Sequence, residues 1–155
     1  MSILRIPIHA VRASLLLVLA VAPLSNPVSA QIPGLIEPFD NVTDLYNRAN
    51  QLYEYGRDSK DYGASRNALR NSIPLFREFI NTAPRHQFAQ RSWYRLGMAL
   101  LLTGETQQAE HCFNVVIRQY RTGHYVASAA YRLAAQRYNA KDWNGAAPFF
   151  GTAAR

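Results

Sequence analysis

Trp93-Tyr94-Arg95-Leu96-Gly97, followed by Leu100, Gly104, Ala109, Phe113 and Val116, is the stretch whose reading decides the fold. Trp93, Leu96 and Leu100 recur at steps of three and four, which places them on one face of a helix. Gly97 on the same helix leaves room for a neighbouring helix to approach closely. Gly104 interrupts the pattern, and a second helix starts near Glu105, presenting Ala109, Phe113 and Val116 back to the first. Ala109 is small enough for the close crossing, and Phe113 fills the space beside it. The stretch therefore predicts two helices packed about a tight turn, with Trp93 in the contact between them.

Moving towards the C-terminus, the pattern returns after 37 residues: Tyr94-Arg95-Leu96 as Tyr131-Arg132-Leu133, Ala109 as Ala146, Phe113 as Phe150, and Phe88-Ala89 as Tyr125-Val126. Moving towards the N-terminus, Phe76 precedes Phe113 by the same interval, and Pro74, His111 and Pro148 share it. The last unit departs in detail, with Ala130 for the Trp, Ala134 for the first Gly, Lys141 for the second, and Trp143 adding bulk at the turn. The residues that lengthen the period fall in the connection at 121–124, where a surface loop grows at little entropic cost. Further upstream, Asn41 can cap a helix that starts at Val42, with Asp44 in its acidic first turn. Leu45, Tyr46, Ala49, Leu52 and Tyr53 form its apolar stripe, which is expected to end near Gly56. Asn41-Val42-Thr43 also fits a glycosylation acceptor, a reading second to the cap. A further helical pattern runs over 62–81, and Pro74 inside it predicts a bend near 70–74 or a helix that begins just before the proline. The expected units are 42–84, 88–121 and 125–155 of one helical repeat domain over 41–155.

The first thirty residues stand apart. Arg5, His9 and Arg12 precede an apolar run at 13–24, and Val28-Ser29-Ala30 supplies the small residues of a signal-peptidase site. The run is shorter than the roughly 20 residues that span a bilayer. A cleaved signal peptide over 1–30 is the expectation, with export to the periplasm and a mature start at Gln31. Residues 31–40 carry Pro33, Gly34 and Pro38 without a period and read as a flexible tether. Without Arg5 and Arg12, 15 cationic side chains face 10 acidic ones, a net charge of +5. The arginines are scattered, with no run of like charge, which argues against a nucleic-acid surface and permits an acidic protein partner. The single Cys112 excludes an internal disulfide and sits beside Phe113 as a buried small hydrophobe. His86, His111 and His124 lack the spacing of metal ligands. No Gly-rich phosphate loop, nucleophile elbow or motif-placed carboxylate pair is present, so the expectation is a protein with no catalytic residues, no cofactor and no metal.

Phe76, Phe79, Pro84, Trp93-Tyr94-Arg95-Leu96-Gly97, Ala109, Phe113, Tyr131-Arg132-Leu133 and Ala146 carry a resemblance to tetratricopeptide repeat (TPR) proteins. The chain is similar to exported TPR proteins of bacterial cell envelopes, such as the periplasmic cell-division coordinators associated with the Tol-Pal system. The repeat lipoproteins of outer-membrane protein assembly are also similar, but their lipidation Cys is missing here. The resemblance implies an all-α, antiparallel helix-turn-helix superhelix of about two and a half to three repeats. It implies a scaffold that holds a protein or peptide of the envelope in a concave groove lined by the first helix of each unit. The implied groove residues are Arg91, Tyr94, Arg95, Met98 and Leu101, then Ser128, Tyr131, Arg132, Ala135 and Tyr138. Arg91 and Arg95 share a helix face, and they are expected to give the groove a general polar lining, with a clamp on a peptide carboxylate as the alternative. The aromatic end at 149–155 lacks a solvated capping helix, so the expectation is self-association or a partner there, or a chain that is a short relative of a longer repeat protein. The alternative is an envelope enzyme or enzyme-associated subunit acting on a cell-wall polymer.

Overall fold

The computed structural model describes residues 41–155, and the signal peptide and tether expected over 1–40 lie outside them. The described residues are all-helical, with no strand. Six helices follow one another: α1 (Val42–Asp58), α2 (Tyr62–Thr82), α3 (Ala89–Thr103), α4 (Thr106–Tyr120), α5 (His124–Asn139) and α6 (Trp143–Ala153). None of these is long and apolar enough to cross a membrane.

Local chemistry sets the boundaries. Asn41 Oδ1 accepts the Asp44 N–H at 3.0 Å, and Asp61 Oδ1 accepts those of Gly63 and Ala64 at 2.8 and 3.1 Å, each satisfying donors that a helix start leaves open. At the end of α3, Gly104 turns left-handed (φ 96°), and the Glu105 N–H reaches back to the Leu100 carbonyl at 2.8 Å. The connections at 59–61, 104–105 and 140–142 are so short that α1–α2, α3–α4 and α5–α6 are antiparallel hairpins.

Two boundaries differ from the sequence expectation. The α1 helix does not stop at Gly56. A Cβ there would lie 2.7 Å from Leu69 Cγ and 2.9 Å from the Ser65 carbonyl, so Gly56 marks the close crossing of α1 and α2 and not a helix end. Nor does α2 begin at the proline: it is one helix from Tyr62 to Thr82 with Pro74 inside. Pro74 and Arg70, whose carbonyl loses its usual donor, are both exposed, so water can serve that carbonyl.

Each helix packs against its neighbours in the chain, and α3 also touches α1 and α5. The even-numbered helices do not pack on one another. The odd-numbered helices thus share one side, and the interior between the two rows holds Phe76, Phe79, Leu100, Phe113, Val116 and Leu133, all fully buried. Burying each such side chain contributes about 1.5–3 kcal/mol. Gly97 works as its position suggested: an added Cβ would sit 2.7 Å from Phe113 Cε1, so only glycine lets the ring lie against α3. The 37-residue register also appears in space. Lys141 takes the left-handed turn (φ 62°) that Gly104 takes, and the ring pair Tyr94–Phe113 (centroids 5.9 Å apart) recurs as Tyr131–Phe150 (6.3 Å). The first hairpin keeps this register only in α2, since its 17- and 21-residue helices outlast the 15-residue α3 and α4.

Candidate functional site

The face shared by α1, α3 and α5 begins with Arg91. Its Nε donates to the Tyr125 hydroxyl at 2.6 Å and its Nη1 to the Tyr46 hydroxyl at 3.3 Å, so one guanidinium ties α3 to both flanking helices. The same group lies 5.9 Å from the Phe88 ring centroid and 5.7 Å from that of Tyr125. Tyr46 stacks on Phe88 at 4.3 Å. The Tyr46 hydrogen bond, followed by that of Tyr125, holds the Arg91 proton more tightly than in a free arginine.

One turn further along α3, Arg95 Nη2 pairs with Glu54 Oε1 at 2.7 Å, and its guanidinium covers the Tyr53 ring at 5.3 Å. Burial, with Tyr94 adding to it, pushes the Tyr53 phenol above its ordinary value. Two buried atoms of this region, Arg95 Nη1 and Asn50 Oδ1, have no hydrogen-bond partner among the described residues. Tyr46, Asn50 and Tyr53 follow helical spacing and so share one side of α1. The alternative carboxylate clamp of Arg91 and Arg95 is therefore not a pair of free cations. Arg91 is held by two phenols, and Arg95 already has a carboxylate.

The other expected groove residues separate into three groups. Met98 is buried in the core and Leu101 packs partly against it, because at their turns of α3 the surface closes over. Tyr94 is half-buried between Phe113 and Tyr125, with centroids 5.9 and 5.4 Å away. On α5 the surface opens. Tyr131 and Tyr138 are 55 % and 53 % exposed and lie on one helix face with the half-buried Ala135 between them. Tyr94, Ser128, Tyr131 and Arg132 line a shallow recess of about 250 Å³. Tyr138 meets the exposed Trp143 edge-on at 4.7 Å and Phe150 at 6.4 Å, extending the aromatic surface onto α6.

Tyr46, Glu54 and Tyr125, which hold the two arginines, escaped the sequence reading. The signal for Tyr125 was present: it occupies the register position of Phe88, so each of α3 and α5 has an aromatic residue at its start. Tyr46 and Glu54 had no such signal, because α1 is out of register. No group of His, Cys, Asp and Glu among the described residues is placed to hold a metal ion. No protein-family model matches the chain, and neither a curated protein nor a solved structure matches it.

Proposed function

We propose that the chain is a non-catalytic, TPR-like scaffold of the bacterial cell envelope that binds a protein or peptide on the surface of α1, α3 and α5. The observation that carries this reading is the pair Tyr131 and Tyr138, large aromatic side chains left more than half exposed on one face of α5, where Tyr131 shares a shallow recess with Tyr94 of α3. Tyrosine offers apolar area and a hydrogen bond at low entropic cost, and it dominates many interfaces. The internal bonds of Arg91 and Arg95 favour a partner recognised by shape and aromatic contact over one recognised by a terminal carboxylate.

The test begins with crosslinking and affinity capture from the envelope, followed by titration of the purified candidate partner. Tyr131→Ala with Tyr138→Ala should weaken binding at least about tenfold, in line with aromatic anchors at other interfaces. The matched control is Tyr55→Ala with Tyr62→Ala, tyrosines just as exposed but borne on the first hairpin. Equal losses in the two double variants, or none in the first, would remove this surface from the proposal.

A further inference from the structure

On the side of α3 away from Tyr94 and Arg95, α2, α3 and α4 border an open pocket of about 430 Å³. Its floor is Ile80, Leu96, Leu100 and Cys112, its wall is Trp93, and Arg77 stands at its rim. The volume falls in the range of small-molecule sites, and around the apolar floor the lining is polar, with Asn81, Gln107, Gln108 and His111 beside Arg77.

The internal repeat indicates what this space accommodates. The position of Cys112 in α4 is held by Leu75 in α2 and by Phe149 in α6. Phe149 packs partly against the core, with the Arg137 guanidinium 5.5 Å from its ring centroid. Arg137 stands in register with Leu100, a floor residue of the pocket. A phenyl ring thus projects from the sixth helix where the fourth carries only a thiol. Ala130 also stands where Trp93 does, so the middle unit combines a small floor residue with a large aromatic wall. Trp93 is half-buried, with its ring edge-on to His111 at 6.3 Å.

Charge supplies the second constraint. Arg77 Nη2 donates to the neutral Gln108 Oε1, and no carboxylate among the described residues pairs with it. The Cys112 thiol feels this cation, which places the positive charge close to the pocket floor. Burial outweighs that influence and keeps the thiol neutral, so the floor carries no charge to compete with a ligand anion.

We propose that this pocket is a binding site for a small arylalkyl carboxylate, its ring lodged beside Cys112 against Trp93 and its carboxylate paired with Arg77. The site is independent of the tyrosine surface, since it uses the opposite side of α3, so either proposal can fail without the other. Trp93 provides the readout. The chain has two tryptophans, and Trp143→Phe leaves Trp93 as the single emitter.

In that background, 4-phenylbutyrate should change Trp93 emission saturably. Arg77→Gln should weaken the carboxylate about tenfold, the worth of one charge-assisted contact, and leave 4-phenylbutanol unaffected. Cys112→Phe, which installs the ring found in the sixth helix, should abolish binding of both compounds while circular dichroism shows an intact helical fold. Cys112→Leu, copying the second helix, should reduce binding and serves as the test if the phenylalanine variant does not fold. The proposal is overturned by the absence of a saturable response, by full affinity in the folded filled-in variant, or by an Arg77→Gln variant that binds the carboxylate as well as its parent.

Discussion

The second and third hairpins share a 37-residue register and differ in how completely their contacts are covered. In the second, Phe113 is fully buried against Gly97, with Tyr94 over one side and α5 beyond. In the third, Phe150 meets Tyr131 and Tyr138 yet stays 39 % exposed, and Ala134 stands where Gly97 does. Equivalent sequence positions therefore do not carry equal free energy, because a ring stabilises in proportion to the apolar area that its neighbours remove from water. Truncation gives the largest expected contrast. Phe113→Ala should cost about 3–5 kcal/mol in urea denaturation, as for other buried phenylalanines. Phe150→Ala should cost about 1 kcal/mol, the ordinary effect of a partly exposed substitution. Similar losses would mean that Phe150 is covered in solution, as self-association through 149–155 would bring about, and sedimentation of the parent chain would then show a species heavier than a monomer.

A smaller contrast isolates the backbone. Gly104 and Lys141 make the same turn at φ 96° and 62°, and nothing lies within 4 Å of a Cβ added at Gly104. Gly104→Lys therefore meets no steric neighbour, and its cost should be the left-handed conformation alone, about 1–2 kcal/mol. The reverse exchange, Lys141→Gly, should raise stability by up to about 1 kcal/mol, less the larger chain entropy of glycine. The register argument would break if Lys141→Gly destabilised by as much as Gly104→Lys, since Lys141 would then be held by contacts and not tolerated as a strained turn.

The same contrast explains how much could be read from the chain. The helices were legible because their apolar residues recur at helical spacing, and the start of α1 because Asn41 caps it. Gly97 against Phe113 was legible because a missing side chain on one helix matches a ring on the next. Trp93 packs partly against the core and edge-on to His111 of α4, as its place between the two helices predicts, but periodicity does not say whether a third helix covers its face. Here α2 leaves an open pocket over it. The proposed surface was partly legible, with Tyr131 and Tyr138 exposed and Met98 withdrawn into the core. The internal partners of Arg91 and Arg95 were not legible, for a physical reason. A cation on a surface helix face is free only if no acceptor from a distant helix reaches it, and Tyr46 and Glu54 come from α1, about forty residues away and outside the repeat register.

The smallest contrast is electrostatic and concerns the first turns of α4 and α6. Glu105, at the start of α4, makes no cap bond to a backbone N–H, whereas Asp142, its counterpart, accepts the Gly145 N–H at 2.9 Å and Arg137 Nη1 at 3.1 Å. The Gly145 bond first, and then Arg137, hold the Asp142 carboxyl below its ordinary range. A depressed carboxylate binds its proton less readily folded than unfolded, so its stabilisation is complete above the unfolded value of about 3.9 and is lost as pH falls through the lower folded value. The third hairpin should therefore loosen on acidification below about pH 4, where an aspartate cap begins to protonate. Asp142→Asn keeps a capping oxygen but removes the titration, so amide exchange in α6 should be nearly unchanged at pH 7 and should lose its acid dependence. Asp58 complicates a global measurement, because its side-chain bond to Arg57 depresses it in the same direction. For that reason the readout must be local to α6, with Asp58→Asn expected to leave its pH profile intact. A profile in α6 that is the same with and without the Asp142 carboxylate would assign the acid sensitivity of this end of the chain to another group.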